Sequence, residues 1–480
     1  MVPMHRRRLT APPRLAVLTV LLLAAACASA IQTGTDGRRH VSLVVSGGTV
    51  ITVDPARRII ETGAVAIDGD EIVAVDTAQA VAARFTAAQR LDATGDVILP
   101  GLVNTHTHAA MVLYRGLADD LALKDWLEHY IFPAEARTVS PEMVRIGTRL
   151  AALEMIRSGT TTFADMYYFE EEVARETRAA GLRGVLGQTI IGFPAPDAGT
   201  PAQALARTEA FIRAFRGDPL ITPAPAPHAM YTLDEASLRA ARALADRYDV
   251  PVLIHVAETQ DEVKTSRETH GASPVGYLAS LGFLAPRVVA AHGVWLDAAD
   301  IATMRATGAA VSHNPESNMK LASGTAPVPK FLEAGLRVGL GTDGAASNND
   351  LDMFEAMRQA AFVHKLVTGD PRAIPAAAAL EMATIGGARC LGLDARIGSL
   401  EPGKRADLIV VSMRGARQVP VYNPVSHLVY VSRGDDVRTS VVQGKVLMHD
   451  RRVLTLDEPR VLAEAAQFAG TVKAAVTLSR

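Results

Sequence analysis

Through the middle of the chain, short unbroken apolar runs alternate with longer stretches whose apolar residues recur every three or four positions. The runs are DVILPGLVNTHTH (96–108), TTTFADM (160–166), LRGVLGQTII (182–191), LITPAPAPH (220–228), VPVLIHVAE (250–258), RVVAAHGVWL (287–296), GAAVSHNPES (308–317) and LRVGLGTDG (336–344). Helical stretches such as EMVRIGTRLAALEMIRSG (142–159) and EASLRAARALADRYD (235–249) separate them. Continuous apolar runs flanked by helices predict parallel strands buried on both faces. Eight such units predict a (β/α)8 TIM barrel, an α/β fold.

The two ends carry a different pattern. VSLVVSGGTVITVD (41–54) and GAVAIDGDEIVAVD (63–76) alternate apolar and polar residues around Gly and Asp turns, and so do ADLIVVS (406–412) and VRTSVVQGKVLMHDRRVL (437–454). Such alternation marks half-buried strands and hairpins. The expected organisation is one β-sandwich built from residues 41–97 and 398–455, a barrel over 98–397, and a helical tail over 456–480.

Residues 1–30 differ from the rest. Arg6, Arg7, Arg8 and Arg14 precede an apolar run from Leu15 to Ala26, and small residues follow. This is the layout of a signal peptide, and the run is short for a membrane span. LAAAC, ending at Cys27, favours a lipoprotein leader; ASA at 28–30 suits ordinary cleavage. The expected location is exported: periplasmic or membrane-anchored through a lipid on Cys27, otherwise secreted. Without its four Arg, the remainder holds 45 basic and 51 acidic residues, a net of −6. No basic stripe exists to bind nucleic acid. Cys27 and Cys390 are the two cysteines, which excludes a disulfide framework and a cysteine-ligated zinc site. Assembly into a homo-oligomer is left open.

Chemistry in such barrels sits at the C-terminal ends of the strands. The first run ends in His106 and His108, the fifth in His255 and then Glu258, the sixth in His292, the eighth in Asp343. Residues two apart on a strand face the same way, and neutral imidazole is the commonest metal ligand. His106, His108, His255 and Asp343 together offer three nitrogens and a carboxylate for zinc, with Fe2+ or another divalent ion as alternatives. Singly, each has a blander explanation; Asp343 in GTDGAASNND, for one, could simply cap a helix. Glu258 could move protons beside a metal-activated water, and His292 is a second acid/base candidate. A solvated loop glutamate and a buried, satisfied histidine are the corresponding alternatives. His313 lies at the seventh strand end without an assignable role. His129, His270, His364, His427 and His449 are expected to be surface or structural.

PGLVNTHTHAAM, HVAET, AAH, VSHNPESNMKLASG, GTDGAASNN and GSLEPGKRADLIV resemble the amidohydrolase superfamily, and within it the 5-methylthioadenosine/S-adenosylhomocysteine deaminases. The resemblance runs from about residue 41 to 450. It implies a single zinc on His106, His108, His255 and Asp343, with Glu258 and His292 in proton transfer and substrate binding. It also implies that Glu135 holds ribose hydroxyls, that His228 contacts substrate and that Trp126 stands near the pocket. Without the resemblance, Glu135 reads as a helix N-terminal carboxylate.

One departure stands out. Relatives that take S-adenosylhomocysteine grip its carboxylate with arginines after the third strand. Here one of those positions is Gln188, the other falls near Thr200 and Pro201, and no Arg lies between Arg183 and Arg207. Adenosine or 5′-methylthioadenosine therefore fits better as the nucleoside whose hydrolytic deamination releases ammonia. Competing readings are a triazine- or guanine-type amidohydrolase acting on another amino- or chloro-substituted heterocycle, a two-metal amidohydrolase, and an exported binder of metal or ligand without catalysis. The fourth run lacks the bridging lysine of two-metal enzymes, and a pure binder has no use for Glu258 with His292.

Overall fold

The computed structural model describes Met1 and residues 37–477, so the leader, Cys27 and both cleavage readings lie outside the described residues. Among the described residues, eight parallel strands form the barrel. They are β1 (Leu102–Thr107), β2 (Thr160–Tyr167), β3 (Arg183–Ile190), β4 (Ile221–Pro227), β5 (Val252–Val256), β6 (Val288–His292), β7 (Ala310–His313) and β8 (Arg337–Leu340). Every residue of β1, β2 and β3 is buried, as strands sandwiched between a barrel interior and an outer layer of helices must be. Helix Pro141–Ser158, which leads into β2, shows how local chemistry sets the boundaries. Ser140 accepts a hydrogen bond from the Met143 N–H at 3.1 Å, Pro141 opens the first turn, and Gly159 ends the helix at φ +86°.

The strands fall into two arcs, β4-β3-β2-β1 and β5-β6-β7-β8. The prolines of β4 explain one seam. His228, just past β4, donates its N–H to Ile190 of β3. In a parallel strand alternate residues address alternate neighbours, so Pro223, Pro225 and Pro227 face β5 with no N–H to give. That edge is held instead at its end, where the His255 N–H reaches the His228 carbonyl at 3.0 Å. The other seam closes through Thr105 Oγ1 to the Leu340 carbonyl and the Asp343 N–H to the His106 carbonyl, both 2.9 Å.

The expected first run, Asp96 to His108, divides at Gly101. Asp96–Pro100 pairs antiparallel with Leu408–Ser412 in the β layer, whereas β1 enters the barrel. A Cβ at Gly101 would collide with the Thr161 side chain, so the change of direction needs glycine. The β layer is two packed sheets. One is four-stranded, from Arg39–Ser46, Gly63–Asp68, Glu71–Thr77 and Phe85–Asp92. The other is seven-stranded and joins segments from both ends of the chain. Leu43, Val45, Val65, Ile98, Leu408 and Val441 share the core between them. Arg183 of β3 and Asp407, each 2% exposed, form a two-pronged ion pair (3.0 and 3.2 Å) that ties the barrel to this layer. Helix Glu458–Thr477 lies against Pro141–Ser158, with Glu458 to Arg157 at 2.7 Å and Glu464 to Arg149 at 2.9 Å.

Candidate active site

At the C-terminal mouth of the barrel, β1 delivers His106 and His108, β5 His255, β6 His292 and the turn after β8 Asp343. The Nε2 atoms of His106 and His108 each lie 3.3 Å from Asp343 Oδ1, and those of His108 and His255 lie 3.4 Å apart. The outer nitrogens are tethered: His108 Nδ1 to the Met166 carbonyl at 2.6 Å, His255 Nδ1 to the His228 carbonyl at 2.7 Å. Both rings therefore donate outward through Nδ1 and aim Nε2 inward. Ser317 Oγ donates to Asp343 Oδ2 at 2.6 Å, and the Gly344 N–H donates to Oδ1 at 2.7 Å.

His106 Nε2 is buried without a hydrogen-bond partner. An unsatisfied buried nitrogen is costly unless something else fills its lone pair. Four-coordinate zinc at about 2.0–2.1 Å sets its ligands about 3.3–3.4 Å apart, the spacing seen here. His106, His108 and Asp343 form one trio able to hold a cation, and His106, His255 and His292 form an overlapping one. The donor set thus fits one divalent metal. Burial drives His106 down to about 4. Burial also opposes charge on His108, but the hydrogen bond and negative charge of Asp343 outweigh it and lift His108 to about 9. Asp343 stays well below the usual carboxylate range: burial works against its charge, and the adjacent His106 and His108 imidazoles prevail. Absent a cation, a proton on His108 answers the aspartate.

Glu258 reaches this centre because the chain turns sharply. Ala257 sits at φ +52°, and His292 (φ +75°) and Asp343 (φ +65°) are left-handed as well. Non-glycine residues there carry strain that persists only where the surroundings enforce it. Glu258 Oε2 lies 3.6 Å from His292 Nε2, and Ser323 Oγ donates to Glu258 Oε1 at 3.5 Å. Burial raises the Glu258 carboxyl above its ordinary value. His292 Nδ1 lies 2.9 Å from Asn318 Oδ1 and 3.3 Å from Asn314 Nδ2, and its Nε2 faces Glu258.

These groups open into a recess at the barrel mouth. Glu135, His228 and Trp126 all line it. Glu135 accepts from the Tyr167 hydroxyl at 2.8 Å, and burial lifts its carboxyl to about 7. Leu123, Leu127, Ile131 and Phe132 make an apolar wall beside Trp126. Among the described residues that line it there is no Lys or Arg. Gln188 turns away to donate to Asp197 at 2.8 Å, and Thr200 caps helix Pro201–Phe215. Arg207 pairs with Asp197 and Glu171. His313 lies outside the recess, hydrogen-bonded through Nε2 to His364 Nε2 at 3.1 Å with both rings buried. Sequence reasoning missed Ser317, Asn318, Tyr167 and most of the apolar wall.

A profile of the amidohydrolase family matches residues 97–447. The chain belongs to the amidohydrolase family. A 5-methylthioadenosine/S-adenosylhomocysteine deaminase of Syntrophobacter fumaroxidans is 50% identical over 437 residues, covering 91% of this amidohydrolase and 100% of that protein. A 5′-deoxyadenosine deaminase of Methanosarcina mazei is 45% identical over 436 residues, covering 90% and 99%. The crystal structure of an adenosine deaminase from Xanthomonas campestris with bound zinc superposes on this amidohydrolase with a TM-score of 0.89 at 39% identity, covering 91% and 99%.

Proposed function

We infer that this chain is a zinc-dependent hydrolytic deaminase of adenosine-type nucleosides that releases ammonia. The observation that carries the reading is the Glu258–His292 pair, 3.6 Å apart beside three imidazoles and a carboxylate, in one recess with Glu135. The activities named for the relatives at 50% and 45% identity support the substrate class.

His106, His108, His255 and Asp343 would hold the zinc. Bound there, such an ion lowers the pKa of water from 15.7 to about 7 and so supplies the nucleophile at neutral pH. The chain's own residues do the rest. Asp343 and His292 orient the water and take up its proton. Glu258, whose carboxyl burial raises above its ordinary value, gives its proton to the purine nitrogen next to the carbon under attack. The new C–O bond makes that carbon tetrahedral. The bond to the exocyclic nitrogen then breaks, ammonia leaves with the proton taken from water, the hydroxyl proton passes to Glu258 and restores it, and a ring carbonyl remains. Glu135, as a carboxylate, accepts hydrogen bonds from the ribose hydroxyls, and His228 contacts the substrate. Trp126 and its apolar neighbours exclude water from the base.

A recess lined, among the described residues, by no Lys or Arg offers no charge-assisted contact to a carboxylate. The favoured substrates therefore carry small uncharged 5′ groups: adenosine, 5′-deoxyadenosine and 5′-methylthioadenosine ahead of S-adenosylhomocysteine. We place the reaction outside the inner membrane because residues 1–30 have the composition of an export leader. The deciding experiment is ammonia release from these four nucleosides, with metal content measured on the same preparation. A zinc-loaded, folded protein that releases none from any of them ends the reading.

A further inference from the structure

Glu258 lies past the end of β5, on a segment whose direction no strand dictates. What holds that segment is a second glutamate. Glu262, in the first turn of helix Gln260–His270, is buried, and its carboxylate faces back toward the strand end. Oε1 accepts from the Ala257 N–H at 2.8 Å and Oε2 from the Glu258 N–H at 2.9 Å. Its own N–H donates to the N-cap hydroxyl of Thr259 at 3.2 Å, which fixes the helix end that carries it. The Ala257 carbonyl is held in turn by the Trp295 N–H at 3.0 Å.

We propose that Glu262 is a positioning residue: its carboxylate grips consecutive backbone N–H groups and so sets the left-handed turn at Ala257 that aims Glu258 into the recess. Two donors on two oxygens require a group that accepts at both, which a carboxylate does and a carboxamide does not. The left-handed turn at a non-glycine residue is unfavourable by itself, and the two hydrogen bonds that Glu262 accepts from its peptide groups offset that strain. Release of the turn displaces Glu258 from its place by His292 and leaves the metal ligands where the barrel strands put them. The inference rests on Glu258 as proton donor in the deamination proposed above.

The test is a double-mutant cycle on the zinc-loaded full chain with adenosine, 5′-deoxyadenosine and 5′-methylthioadenosine. Glu262→Gln has the same volume but sets an amide N–H against a backbone N–H. It is expected to lower kcat roughly 10²-fold, the cost of a misplacement of about 1 Å, with KM and zinc content unchanged. Glu262→Asp keeps a carboxylate, one methylene shorter, and should recover part of the loss. In a Glu258→Gln background, Glu262→Gln should cost less than threefold more, because nothing remains to be aimed. An undiminished kcat in Glu262→Gln, or a full second loss in the double variant, overturns the inference; so does a chain that no longer folds in either Glu262→Gln or Glu262→Asp, since Glu262 then serves stability alone. Wild-type protein runs beside them: if it releases no ammonia, the deaminase reading has failed rather than the role of Glu262.

Discussion

Glu258→Gln separates the proposed proton transfer from everything else the site does. The substitution keeps the side chain's size in a place where Glu258 is 6% exposed. Its polar neighbours there are few: the Ser323 hydroxyl at 3.5 Å and His292 Nε2 at 3.6 Å, both long contacts. Neither the fold nor the metal ligands depend on them, so the structural cost is small. What disappears is the carboxyl proposed to pass a proton to the purine ring. General acid–base help of this type is worth about 10²–10⁴ in rate. At about 1.36 kcal/mol per tenfold, the barrier rises by about 2.7–5.4 kcal/mol. The loss belongs in kcat, because the proton moves only as the transition state forms. The assay is ammonia release under saturating nucleoside, with zinc content and melting temperature on the same sample. A variant with stoichiometric zinc and a kcat within tenfold of wild type removes Glu258 from the chemistry.

Chelator treatment should abolish ammonia release and lower the melting temperature, with zinc restoring both; ligand at a hundred times its Kd stabilises by about 2.7 kcal/mol, and an unchanged melting curve would show that the three imidazoles bind nothing. Burial raises the Glu135 carboxyl to about 7, and the ionised form is the one that accepts from ribose, so KM should rise as pH falls through about 7; Glu135→Gln should flatten that limb, and a KM independent of pH in the wild type refutes the role. Arg183→Met strands the Asp407 carboxylate at 2% exposure and should destabilise the protein by about 3–5 kcal/mol; Arg183→Met with Asp407→Leu should recover most of that loss in denaturant unfolding, and equal losses in both variants contradict it.

The barrel was legible in the sequence because each strand is buried on both faces and therefore written as an unbroken apolar run. His106 and His108 were legible for a related reason, since strand periodicity alone puts both on one side. Glu258 was found by motif, but its direction was not readable: it depends on a left-handed Ala257, and alanine gives no signal of that conformation. Ser317 and Asn318 escaped because they sit on a short helix, Pro315–Lys320, whose contact with Asp343 and His292 arises from packing between β7 and β8. Trp126 was noticed by resemblance, whereas Leu123, Leu127, Ile131 and Phe132 read as ordinary helix-face residues until the segment is folded over the mouth. The division of the first run at Gly101 was hidden, because a β-layer strand followed at once by a barrel strand shows one apolar stretch.

That division bears on biogenesis. Asp96–Pro100 finds its antiparallel partner in Leu408–Ser412, some three hundred positions later in translation. A nascent polypeptide halted before that point exposes an unpaired edge and half of the greasy interior formed by Leu43, Val65 and Ile98. Closure therefore awaits near-complete synthesis, and C-terminal truncations short of Ser412 should aggregate rather than yield an isolated barrel.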